Sequence, residues 1–214
     1  MFQRDRALWA LAIVLSIALL IAPAIWNGFP LLQWDSGGYI ARWYQHSLII
    51  SRSTVYGLFL TAFDHLAFWP EIVLQGALTA WVLALTLRTQ GLGNRPFALV
   101  AIVAVLAAAT SLSWIASMVL TDIFAGVGVI AFYLLLMQAD QLARWERIGL
   151  ILLAAFCAAT HSATLAVLIG LLICAAVVWR FAPKRIPAGR LVNGTVALAL
   201  GALMVFAGNY VVAR

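Results

Sequence analysis

The chain has 214 residues, of which 65% are hydrophobic and 9% charged, with a mean hydropathy of +1.06 and a net charge of +6. Globular domains carry charge on about a quarter of their residues to cover the core, so this composition excludes a soluble enzyme and predicts a single membrane domain over residues 1–214. The thirteen Lys and Arg punctuate apolar runs and form no basic stripe with interleaved aromatics, which argues against a nucleic-acid partner.

The first apolar run, Ala7 to about Ile25, follows Arg4 and Arg6, and Ala22-Pro23-Ala24 imitates a signal-peptide cleavage site. Its length of about 19 residues exceeds a signal h-region and approaches the roughly 20 residues of a membrane span, so a first span is expected. Residues 26–70 then form the long polar stretch of the chain, with Asp35, Arg42, His46, Arg52, Asp64 and His65. Between Tyr39 and Phe68, apolar and polar residues mix at near-helical spacing without proline, which predicts one or two helices lying along the membrane interface. Trp34, Trp43, Tyr44 and Trp69 suit that depth.

A second span is expected from about Glu71 to Leu87, ending in the turn-forming, basic connector from Arg88 to Pro96. The apolar stretch from Phe97 to Met137 is too long for one span. Its least apolar part, Thr110 to Asp122, predicts two helices with a tip near Ser113. Ile148 to Trp179 is likewise interrupted, by Thr160-His161-Ser162, and reads as a hairpin turning at His161. Each arm of about 16 residues reaches only about 24 Å, so the tip is expected to stop inside the membrane and line a cavity. Leu191 to about Val212 makes the seventh span. Cys157 and Cys174 fall inside apolar runs and read as small buried hydrophobes.

Loop charge sets the orientation. Arg4, Arg6, Arg88, Arg95, Arg144, Arg147, Arg180, Lys184, Arg185 and Arg190 fall on one side of seven alternating spans, and Arg42, Arg52 and Arg214 on the other. By the positive-inside rule the amino terminus is expected in the cytoplasm of an inner membrane. Asp35, Asp122 and His161 then come from three different outer segments. Ionisable groups at membrane depth are costly and mark function by default, and two carboxylates with a histidine can bind a divalent cation, activate a hydroxyl or hold a phosphate.

Each of these residues also has a structural reading. Asp35 precedes Ser36-Gly37-Gly38-Tyr39, where the glycines permit close approach of a ligand, yet an Asp at this point can simply cap the next helix. Asp122, after Thr121, stands where a carboxylate favours a helix amino terminus. His161 can be a polar tip bonded to its neighbours. Arg52, in Ser51-Arg52-Ser53-Thr54, can take an anion or a lipid headgroup, and Asp64 and His65 are weaker interfacial candidates. The chain has no Gly-x-Ser-x-Gly elbow, His-Glu-x-x-His pair or Walker loop, and no internal repeat of the transporter kind.

With an acidic residue just after the first span (Trp34-Asp35-Ser-Gly-Gly-Tyr39), another near the start of the fourth (Thr121-Asp122) and a later Thr160-His161-Ser162 tip, the arrangement resembles the GT-C superfamily of integral-membrane glycosyltransferases. The resemblance implies an all-α polytopic fold with juxtamembrane helices in the first outer loop, and a chain matching the amino-terminal portion of such enzymes. It implies a polyprenyl-phosphate-linked sugar donor, Asp35 and Asp122 as catalytic carboxylates, and donor binding by His161, Arg52, Gly37, Gly38 and Tyr39. Rival readings are a transporter or lipid-handling protein, which would use the same intramembrane polar groups, and a non-catalytic membrane subunit or truncated, inactive remnant.

Overall fold

A computed structural model describes residues 2–45 and 52–213, without the side chains of residues 2–5 and 64. His46 and Ser51 lie outside the described residues. The fold is all-α, and the only β-type pairing among the described residues is an isolated parallel bridge between Leu31 and Met118. The helices are α1 (Phe2–Leu20), α2 (Ala22–Asn27), α3 (Trp34–Tyr44), α4 (Thr54–Thr61), α5 (Trp69–Leu87), α6 (Pro96–Ala109), α7 (Leu112–Ala116), α8 (Asp122–Met137), α9 (Arg144–Thr160), α10 (Ser162–Phe181) and α11 (Ala188–Val212). Among the described residues, three helical segments are long and apolar enough to cross a membrane: Trp69–Leu92, Ser162–Phe181 and Ala188–Val212. Arg6–Leu20, Pro96–Ala109 and Asp122–Met137 are apolar but shorter.

The chain divides into two compact units, Met1–Ser36 with Ala62–Ile123, and Gly37–Thr61 with Phe124–Arg214. In the first, α1 packs on α5 and α6. Ala12, Ser16, Leu20 and Ala24, four residues apart, are fully buried along one stripe. Gly76 lets α5 approach closely, since a Cβ there would meet Ile21 Cγ2 at 3.2 Å.

The first apolar run is broken where the sequence predicts a continuous span. Pro23 cannot donate to the helical ladder and crowds the carbonyl four residues back, so α1 stops at Leu20 and α2 restarts at Ala22. The Ser117 hydroxyl fills the gap, accepting from Ala24 N at 3.3 Å and donating to the Leu20 carbonyl at 3.4 Å. It thereby bridges two groups that an unbroken helix would pair directly.

The second unit is built on α9 and α11. Gly201 brings α11 against α9, where a Cβ would meet the Ala155 carbonyl oxygen at 2.8 Å. Tyr39, Tyr56, Phe59, Phe124 and Phe156 form a connected aromatic cluster, with centroids 4.9 to 6.2 Å apart and mostly edge-to-face. The last carbonyls of α8 are closed by a side chain from the start of α11. Arg190 donates to Met137 O at 2.8 Å and Leu136 O at 3.4 Å and pairs with Asp140 at 2.5 Å. Arg147 donates to Ala139 O at 3.0 Å. Two of the arginines that set the loop-charge count thus also bind backbone carbonyls at the ends of helical turns.

Candidate functional site

Within the second unit, α9 and α10 are separated by a single extended residue, His161, with φ −154° and ψ 133°. The predicted break therefore falls on the predicted residue. His161 Nδ1 accepts from Ala163 N at 3.1 Å and caps α10, so the local structural reading of this histidine holds as a fact of geometry. The same imidazole lines a cavity of about 190 Å³ with Arg42, Arg52, Ser53, Thr54 and Asn209. The floor comes from the end of α9, where Ser53 Oγ donates to Ala159 O at 2.7 Å.

Arg42 is 7% exposed and Thr54 2% exposed. Arg42 Nη1 donates to Thr54 Oγ1 at 2.5 Å and to Asn209 Oδ1 at 3.4 Å, while Thr54 Oγ1 donates to the same Asn209 oxygen at 2.6 Å. Burial lowers the Arg42 pKa from its ordinary value. The Arg52 guanidinium lies over the Tyr39 ring, 5.7 Å from its centroid.

The glycine motif is placed differently from the sequence expectation. Asp35, Gly37 and Gly38 lie inside α3, which begins at Trp34, and not in a loop preceding a helix. Neither glycine has positive φ. A Cβ on Gly38 would meet Arg52 Nε at 3.2 Å, whereas one on Gly37 would meet nothing within 4 Å. Gly38 thus leaves room for the Arg52 stem, and Tyr39, 2% exposed, is the aromatic floor beneath its head.

Asp35 and Asp122 both belong to the first unit, in the first turns of α3 and α8. Asp35 is half-buried and Asp122 exposed. Their segments are joined. Leu31 N donates to Ser117 O, and Val119 N to Leu31 O, each at 2.9 Å. Ser36 Oγ donates to Val119 O at 2.8 Å and accepts from Gln33 N at 3.1 Å. From below, Gln75 Nε2 donates to Met118 O at 3.0 Å and Ala116 O at 3.3 Å. One unit thus brings the two acidic segments together, and the other brings Arg52 and His161 onto one cavity.

No group of three His, Cys, Asp or Glu is arranged to hold a metal among the described residues. The cavity offers guanidinium, imidazole, hydroxyl and amide groups, a donor set that suits an anion and fits poorly with a divalent cation. Sequence reasoning passed over Thr54 and Asn209 and gave Arg42 no role. It also took Glu71, fully buried in the first turn of α5, as no more than the start of a span. A polar residue inside or beside an apolar run was the available signal for Glu71 and Asn209. The chain matches no protein-family model, no curated protein and no solved structure.

Proposed function

We propose that the protein is a seven-span inner-membrane glycosyltransferase of GT-C-like design, with a cytoplasmic amino terminus, taking a sugar from a polyprenyl-phosphate donor at the periplasmic face. The observation that carries this reading is the cavity of Arg42, Arg52 and His161 beside the amino terminus of α10, set among helices that are mostly apolar. Two guanidinium groups, an imidazole and a helix amino terminus make a strong phosphate site, and the apolar surroundings favour a phosphate that arrives on a lipid. Gly38 and Tyr39 shape the seat of Arg52, and Gly37 keeps the neighbouring turn of α3 clear.

In the reaction, Asp35 accepts the proton of the acceptor hydroxyl while that oxygen attacks the anomeric carbon. The bond from that carbon to the phosphate oxygen breaks, its electron pair leaves on the polyprenyl phosphate, and the configuration inverts. Arg42, Arg52 and His161 stabilise the charge gathering on the leaving phosphate. Asp122 orients the acceptor. Seven helices alternate with loops whose Lys and Arg count supports the orientation: α1 with α2, α5, α6, α8, α9, α10 and α11.

The test is release of polyprenyl phosphate from a panel of lipid-linked sugars by purified protein in nanodiscs. Wild type releases it. Arg52→Gln and His161→Gln are slow at low donor and recover as donor is raised, and Asp35→Asn stays inactive at every concentration. Folded wild type that binds the donor without releasing phosphate overturns the enzyme reading and assigns the cavity to a lipid-phosphate carrier.

A further inference from the structure

Arg42, the most buried cation of the phosphate cavity, donates to two neutral side-chain oxygens. Thr54 has one hydroxyl proton, and it goes to Asn209 Oδ1 at 2.6 Å. That donation turns the Thr54 lone pairs toward Arg42, whose Nη1 lies 2.5 Å away. The Asn209 amide oxygen receives a second contact from the same Nη1 at 3.4 Å. The three side chains come from α3, α4 and α11 and all line the cavity. Asn209 therefore closes a hydrogen-bonded ring without adding charge to the cavity wall.

An aspartate has nearly the same shape and would accept both hydrogen bonds more strongly. It would also place a negative charge against Arg42, which is 7% exposed, where charges are screened less than in bulk water. The choice of an amide over a carboxylate thus bears on the charge the cavity presents to a ligand. We infer that Asn209 is the positioning residue that aims Arg42 into the cavity and, being neutral, keeps the site selective for a phosphate anion. The inference rests on the proposal above that the cavity takes a lipid-linked phosphate.

Two variants separate this role from a purely structural one. Asn209→Asp keeps both hydrogen bonds but changes the charge, whereas Asn209→Ala loses the bonds and leaves the charge alone. If Asn209 merely ties α11 to α3 and α4, the aspartate variant behaves as wild type and the alanine variant is the damaged one. If it sets the charge of the cavity, the order reverses.

The experiment titrates wild type, Asn209→Asp and Asn209→Ala, each in nanodiscs, with a short-chain prenyl monophosphate and with the matching uncharged prenol, alongside thermal unfolding. The expected result is a loss of phosphate affinity of at least tenfold in Asn209→Asp and a smaller loss in Asn209→Ala, with prenol binding unchanged. Asn209→Asp at wild-type phosphate affinity overturns the role of Asn209 while leaving the cavity's function intact. Should Asn209→Asp not fold, Asn209→Ala decides alone: phosphate affinity equal to wild type overturns the inference, and a selective loss of phosphate over prenol sustains it. Wild type that binds phosphate and prenol equally overturns the underlying reading of the cavity and this inference with it.

Discussion

Ser36 Oγ donates to the Val119 carbonyl at 2.8 Å, linking the turn that carries Asp35 to the strand-like segment that leads into Asp122. The same hydroxyl accepts from Gln33 N at the start of α3. Ser36→Ala removes both bonds at a residue 2% exposed, and the expected cost is about 1–2 kcal/mol. Turnover of the lipid-linked sugar should fall more than tenfold, because the side chain next to Asp35 sets the direction of its turn. Unfolding in detergent, run beside the turnover assay, checks both parts.

Gly57 lies where α4 crosses α3. A Cβ there would collide with the Tyr39 carbonyl oxygen and meet Trp43 Cδ1 at 2.8 Å, and the Trp43 indole is already fixed by a 2.8 Å bond to Thr54 O. Gly57→Ala is expected to destabilise the second unit by about 1–3 kcal/mol, the usual range for overpacking. Gly126→Ala is the control. It adds the same methyl to a helix with nothing within 4 Å, and its melting temperature should equal or slightly exceed that of wild type.

Arg190 and Asp140 form an ion pair of unequal partners, with side chains 15% and 76% exposed. The value of Arg190 lies in its bonds to the Met137 and Leu136 carbonyls. Arg190→Ala is therefore expected to cost about 1–3 kcal/mol by orphaning the end of α8. Asp140→Ala should cost under about 0.5 kcal/mol, as exposed ion pairs do. Chemical denaturation of the two variants in detergent measures the contrast, and equal losses would contradict this account.

His161 combines a cap with a place in the cavity, and substitution can separate the two. Asn can accept the Ala163 N–H in place of the imidazole, so His161→Asn is expected to keep wild-type stability, while His161→Ala loses about 1 kcal/mol. Both should weaken binding of a lipid phosphate. Wild-type affinity in His161→Asn would show that the histidine serves the helix alone.

Much of the helical plan was legible because polar residues are rare here. Thr110 to Asp122 and Thr160-His161-Ser162 interrupt apolar runs, and α6 and α9 end there, although the short helix α7 covers the expected tip at Ser113. The break at Pro23 was harder to read, since its ring sits in an apolar run and the Ser117 hydroxyl that completes it comes from 93 residues away. The start of α3 was misjudged for a related reason. Two glycines suggest a loop, but Ser36 and its partner in the segment after α7 hold them in a helix. Asp35, Asp122, Arg52 and His161 were visible as isolated polar residues, whereas the ring that holds Arg42 joins residues up to 167 positions apart and has no local pattern.

The most direct test of the account is native mass spectrometry of the protein with a polyprenyl monophosphate and with the polyprenol of the same chain length. The account predicts that the phosphate binds at least tenfold more tightly than the alcohol and that Arg52→Gln loses this preference while keeping the fold. Equal binding of the two lipids by wild type would contradict it.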